Sequence, residues 1–514
     1  MALSDLTVSI LLAIGPLAGI LFGIYTSYIS WLDSPFRKVT YPPGPSQSGL
    51  LRRSLRDVPS SRPWTTYAEW ALKYGNIIYF KLKGKPMIIL NSIDDAHEMF
   101  ERRCGVYSDR PKDIMNDLMG WDFHTQLMPY GAGWRGHRKL YQQCFRPKAA
   151  AAYTPIQTRK VRNLLNSLLT SPDEFRTHCK TASTGVIFSI LYGEDLPQEM
   201  NEYFASLGEE AVFAYSKGPL AASNIVNAFP ILRHLPPWFP GAEFHRLALE
   251  VKKATSLFLD APLDFIGEGL LDGTVTPSLM VDLMENCYME RDFDRIKHVA
   301  ATTYLAGTDT MTSPLLSFFL AMAKFPDAQK KAQAEITRVI GPNRLPTYED
   351  RASLPYVEAL YREVLRWRPP VPLNTAHVTT EADIYNGFHI PKGAQIVANI
   401  WAMTRDEGRY ADPESFKPER FLDGEGALNN DDLSLIFGFG RRICPGRHIA
   451  SATVWLTVTS VLATFDIMKQ KGISDGVDDL NMEYTNGPVS QPLPFSCSIT
   501  PRNGKIASLI REVS

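Results

Sequence analysis

The segment Phe437-Gly438-Phe439-Gly440-Arg441-Arg442-Ile443-Cys444-Pro445-Gly446-Arg447 sets one thiol among three glycines and three arginines. Glycine lacks a Cβ and accepts positive φ, so such a loop lets backbone approach a flat partner closely. Its N–H groups can hydrogen-bond a sulfur anion, and a helix that follows turns its positive end toward the same atom. Both effects lower the thiol pKa and favour the thiolate, the form of cysteine that binds metal. Read alone, the segment is equally a glycine-rich turn around a buried cysteine. The rest of the chain decides between the two.

The other five cysteines, Cys104, Cys144, Cys179, Cys287 and Cys497, are dispersed, with no Cys-x-x-Cys pair. They read as reduced thiols in a cytosol-facing protein rather than a disulfide framework. The formal net charge is −1 over 514 residues, which leaves no basic field for nucleic acid. No phosphate-binding glycine loop, Gly-x-Ser-x-Gly elbow or His-Glu-x-x-His pair occurs.

Three more constellations carry polar groups at helical spacing. Glu363 and Arg366 share one face of a helix read over Tyr356–Trp367, which Pro369-Pro370 halts. A lone pair of this kind contributes about 0–1 kcal/mol at a surface. Ala306-Gly307-Thr308-Asp309-Thr310 interrupts a helix read from Asp294, where Gly307 costs about 1 kcal/mol relative to alanine. Pro314 removes the N–H owed to the Thr310 carbonyl, which predicts a distortion one turn on. Trp134 and Arg138 stand four residues apart on a third helix.

Together these segments resemble the cytochrome P-450 family. The cysteine loop is similar to its haem signature Phe-x-x-Gly-x-Arg-x-Cys-x-Gly at Phe437, Gly440, Arg442, Cys444 and Gly446. Trp-x-x-x-Arg, Ala-Gly-x-Asp-Thr, Glu-x-x-Arg and Pro-Glu-Arg-Phe (418–421) follow in the family's order. The resemblance implies a mainly α fold with small β-sheets and heme b, iron protoporphyrin IX with Cys444 as axial thiolate. It implies propionate partners in Trp134, Arg138, Arg442 and His377. It makes Thr310 the hydrogen-bonding partner of bound dioxygen and Asp309 its source of protons. Glu363, Arg366 and Arg420 become a buried triad that locks the cysteine loop.

Outside these motifs, alternation at Asn76–Asn91 predicts a β-hairpin, and Asp383–Asn399 a second small β region. His448–Phe465 reads as an apolar helix. No charged residue occurs from Leu6 to Leu32, long enough for the roughly 20 residues that cross a bilayer. A secretory signal is the rival reading, but the run exceeds a signal core of roughly 7–15 residues and no basic segment precedes it. Arg37, Lys38, Arg52 and Arg53 behind it favour a cytoplasmic body. The expected layout is a membrane anchor at 1–32, a basic and Pro-rich hinge at 33–48 and a catalytic domain at 49–514. The expected location is the endoplasmic reticulum membrane, single-pass.

The implied activity is a monooxygenase that takes O2, a hydrophobic substrate and electrons from NADPH–cytochrome P-450 reductase. The loop and oxygen segment look like fungal enzymes of the O-methylsterigmatocystin oxidoreductase-like group, which implies a terpenoid, polyketide or indole of secondary metabolism. Ile114–Met128, Thr302–Thr310, Val371–Ala376 and Asn486–Gln491 are expected to line the pocket. Arg441 and Arg447 are candidate docking charges. Two other readings stay open: a reductase-independent haem-thiolate isomerase or lyase, and a non-enzymatic haem protein.

Overall fold

Glu290–Lys324 forms one 35-residue helix around which the others pack. Residues 311–323 are all buried and, apart from Thr312, Ser313 and Ser317, apolar, as suits a central helix. It runs unbroken through Pro314, and the expected distortion does not interrupt it. Proline removes one N–H and one bond, while packing on every side holds the flanking turns. The Phe175–Tyr192 helix lies against it with the most extensive helix–helix contact. At that crossing a Cβ on Gly307 would come within 2.8 Å of Ile187, so the glycine is a close-approach residue between helices.

The computed structural model describes residues 40–45, 61–82, 84–193, 196–217, 226–227, 229–287, 289–470 and 482–512. The expected anchor at 1–32 and most of the hinge lie outside the described residues. No helix of the described residues is long and apolar enough to cross a membrane.

Strands β1 (Ile77–Leu82) and β2 (Lys85–Leu90) form the expected hairpin, paired antiparallel from Ile77↔Leu90 to Leu82↔Lys85. Residues 383–399 do not form one region. β4 (Asp383–Tyr385) and β5 (Phe388–Ile390) make their own hairpin, but β6 (Gln395–Ala398) joins β2 in parallel and β3 (His377–Val378) antiparallel. The sheet order is β1-β2-β6-β3. β6 is buried over Ile396–Ala398, so it seeks an interior partner and not a solvent-facing hairpin. The Tyr41–Pro45 end of the hinge is docked: the Tyr79 N–H donates to the Pro43 carbonyl at 2.9 Å, and Tyr41 stacks on Tyr79 at 4.7 Å.

Arg447–Thr464 is the apolar helix expected after the cysteine, and Phe465 already begins β7 (Phe465–Lys469), which pairs with β8 (Cys497–Pro501). Its buried threonines return their hydroxyls to the preceding turn, Thr453 to Ile449 at 2.9 Å and Thr457 to Thr453 at 2.8 Å. No hydroxyl proton of these two is left unpaired in the core.

Candidate active site

Gly440 lies at φ +53°, and a Cβ there would fall 2.0 Å from the Phe100 carbonyl oxygen. Only glycine lets the cysteine loop close on that backbone. The Cys444 N–H donates to the Phe437 carbonyl at 2.8 Å, and the Arg447 guanidinium donates to the Cys444 carbonyl at 3.1 Å. Burial holds the Cys444 thiol above its ordinary pKa; the Gly446 and Arg447 amides and the Arg138 and Arg447 charges pull it down but do not prevail. The sequence reading, which expected a lowered pKa, therefore omitted the larger effect. A coordinated metal deprotonates such a thiol outright.

Cys444 opens onto a cavity whose wall includes Phe437, Gly438, Ala306, Gly307 and Thr310. It is the only one of the six cysteines on that wall. Four of the residues named for propionates, Trp134, Arg138, His377 and Arg442, reach the same wall. The Trp134 ring lies 4.3 Å from the Arg442 guanidinium and 5.8 Å from that of Arg138. Arg138 donates to the Ile443 carbonyl at 2.8 Å. Arg442 donates to the carbonyls of Ser108 and Met128, both at 2.9 Å, while its Nη1 is buried without a partner.

Arg110 also lines the cavity, buried, and nothing in its sequence setting distinguishes it from a surface arginine. It bonds the carbonyls of Gln126, Thr375 and Ala376. Burial, then the neighbouring Arg442 charge, lowers its pKa to about 9. Burial likewise lowers Arg442 to about 10. Guanidiniums so destabilised, one with an orphaned buried N–H, fit an acidic group delivered by a cavity ligand. His377 donates Nδ1–H to the Tyr107 carbonyl at 2.6 Å, and burial beside Arg110 keeps it neutral. It could donate from Nε2 to a carboxylate only as imidazolium.

The expected oxygen pair is divided. Thr310 lines the cavity and donates its hydroxyl hydrogen to the Ala306 carbonyl at 2.6 Å. Asp309 is exposed and stands outside the lining. Of the segments expected to line the pocket, 114–128 supplies Thr125 and Gln126, and 371–376 supplies Val371, Asn374 and Thr375. Residues 486–491 supply none. Ser490 instead braces two elements, taking the Ser313 hydroxyl at 2.6 Å and donating its N–H to the Pro370 carbonyl at 2.8 Å.

Behind the cavity, Glu363 and Arg366 are fully buried, paired at 2.6 and 2.8 Å. Arg420 meets the same carboxylate at 3.1 Å, and the Lys417 N–H donates to it at 2.7 Å. Arg366 and Arg420 also bond the carbonyls of Thr404, Ala411 and Asp412. The triad ties the helix Pro355–Trp367, which presents Tyr361 and Leu365 to the cavity, to the irregular chain at 404–420.

Next to the cavity, His137 pairs with the Thr125 hydroxyl at 2.8 Å, and His124 is buried with Nδ1 unpartnered. Burial lowers both to about 4 from 6.5. Between those values the unfolded chain binds protons that the folded chain refuses. Stability therefore rises with pH through the window from about 4 to 6.5 and is lost on acidification, by on the order of 3 kcal/mol for each histidine. Thermal midpoints recorded from pH 7.5 down to 4.5 should fall, and replacing both histidines with glutamine should flatten that slope. An unchanged slope would mean that neither is buried neutral.

Comparison with known proteins agrees with this geometry. The cytochrome P450 family model matches residues 42–495. Cytochrome P450 monooxygenase COX2 of Coprinopsis cinerea is 37% identical over 92% of this chain and 91% of its own. Cytochrome P450 monooxygenase ple1 of Rhodocybe pseudopiperita is 36% identical over 94% and 93%. A zebrafish cytochrome P450 solved with abiraterone shares the fold, with TM-score 0.65 and 23% identity over 86% of this chain and all of that one. A cavity with one cysteine and a cationic edge, inside that fold and in a sequence so matched, identifies the chain as a member of the cytochrome P450 family, a monooxygenase whose cofactor is haem held by a cysteine thiolate.

Proposed function

We propose that this enzyme oxidises a hydrophobic small molecule of fungal secondary metabolism, a terpenoid, polyketide or indole, with electrons passed from NADPH by a separate flavin reductase. The observation that carries the reading is a cavity that brings together Cys444, the unpartnered Arg442 Nη1 and an apolar wall that includes Ile187, Met311 and Val371. Bound there, haem supplies the activation of O2 that puts one oxygen atom into a C–H or C=C bond, and thiolate ligation favours O–O cleavage.

Cys444 would be the ligand, with the Gly446 and Arg447 amides holding charge on its sulfur. Arg110, Arg138 and Arg442 would bind the propionates, with His377 and Trp134 beside them. Thr310, its hydrogen committed to Ala306, offers lone pairs to a proton donor in the cavity. Asp309, on the exposed side, would feed protons from solvent. Thr310→Val should therefore lower product per NADPH consumed by at least about tenfold while substrate affinity stays within about twofold. Equal coupling in the variant would remove Thr310 from the reaction.

Membrane attachment through residues 1–32 is supported by exposed apolar side chains in one Pro-rich loop: Trp238 is 80%, Ile231 74% and Phe229 63% exposed. The basic residues behind the anchor support a body on the cytoplasmic face, the orientation that an endoplasmic reticulum location would require. Arg441 is exposed, donating to the Tyr130 hydroxyl at 3.0 Å from a position a redox partner could reach, whereas Arg447 is half-buried and donates to the Cys444 carbonyl.

The test is turnover with a co-expressed reductase, NADPH and candidate terpenes and polyketides, read by mass spectrometry. A product heavier by one oxygen and dependent on NADPH supports the reading. Isomerised product formed without NADPH would overturn it.

A further inference from the structure

Asn374 sits on the cavity wall with its backbone and half of its side chain already committed. Its N–H donates to the Ala398 carbonyl at 3.1 Å, and the Ala398 N–H donates to its Oδ1 at 2.8 Å. Those two bonds tie Asn374 to the end of β6 and fix the amide. Flipping it would set Nδ2 against a second N–H donor. Nδ2 is thus the remaining donor: it makes no hydrogen bond among the described residues, on a residue that lines the cavity. The adjoining polar groups are engaged with one another. The Thr375 hydroxyl takes Gln126 Nε2, and its carbonyl takes the Arg110 guanidinium at 2.6 Å. Nearby lining residues such as Val371, Met311 and Pro314 are apolar.

We propose that Asn374 is a specificity-determining residue that selects hydrophobic substrates already carrying an oxygen acceptor, such as a ketone, lactone or alcohol oxygen. The proposal rests on the reading of this cavity as the substrate site. A pure hydrocarbon seated there strips water from Nδ2 and leaves it unpaired, whereas an oxygenated skeleton replaces the lost hydrogen bond. A site built to hydrogen-bond one substrate oxygen discriminates strongly against the analogue that lacks it. The enzyme would therefore act after an oxygenating or oxygen-retaining step, not on the first hydrocarbon of a series.

The test is titration of the haem absorption spectrum of the full-length holoprotein with valencene and nootkatone, a hydrocarbon and a ketone of one carbon skeleton. The parent should bind the ketone at least about tenfold more tightly. Asn374→Asp keeps an oxygen for the Ala398 N–H but removes the donor. It should abolish the preference, because a carboxylate offers a ketone oxygen no hydrogen. Asn374→Leu should do the same, and if it fails to fold the aspartate variant decides alone. Equal affinities in the parent, or a preference that survives in Asn374→Asp, would overturn the proposal while the substrate cavity stands. If neither compound perturbs a correctly formed haem spectrum, the cavity reading falls and the proposal with it.

Discussion

Glu363→Ala is expected to cost about 3–5 kcal/mol, because it strands two guanidiniums on a carboxylate site closed to water. Glu363 is completely buried and accepts from Arg366, Arg420 and the Lys417 N–H. Deletion leaves Arg366, itself fully buried, without its counter-charge. Against a usual total stability of about 5–15 kcal/mol, that loss leaves little folded holoprotein. Glu363→Gln keeps the shape and the acceptor but not the charge, and should fall between parent and alanine. Replacing all three members by apolar side chains should cost less than removing Glu363 alone, since no unpaired charge is then left inside. Chemical denaturation and the yield of haem-loaded protein measure these effects. An alanine variant within about 1 kcal/mol of the parent would mean that the triad is not a lock.

The triad also marks what was legible in the sequence. Glu363 and Arg366 announce each other by helical spacing, and Arg420 arrives within a short motif, so their meeting was readable although Arg366 and Arg420 stand 54 positions apart. The cysteine loop was legible for the same reason: its glycines and its thiol are local to one another. Arg110 was not, because its importance comes entirely from burial beside Arg442 and from carbonyls offered by residues 126, 375 and 376. No local pattern encodes such a meeting.

Electrostatic sign was misread where burial competes with local donors, as at Cys444. Pairing of strands was misread where sequence neighbours part company. β6 follows β5 in the chain but finds β2, some three hundred residues earlier, because its side chains are buried. Asp309 and Thr310 are adjacent in sequence, yet only Thr310 reaches the cavity. Consecutive helical positions lie about 100° apart around the axis, so adjacency alone could not put both in one site.

Every proposed role in the cavity depends on one sulfur. The Cys444 thiol is raised by burial, and only a strongly bound cation would keep it ionised at neutral pH. Serine at this position keeps the size and the backbone bonds of the loop but is a far poorer ligand for the metal. The loop should therefore fold, with the Cys444 N–H bond to Phe437 retained in the variant. The decisive measurement is the absorption spectrum of the reduced, carbon-monoxide-treated protein, parent beside Cys444→Ser. The parent should display the long-wavelength Soret band of thiolate-ligated haem, and the serine variant should lack it. A parent without that band, or a variant that retains it, would contradict the assignment of Cys444 to the iron.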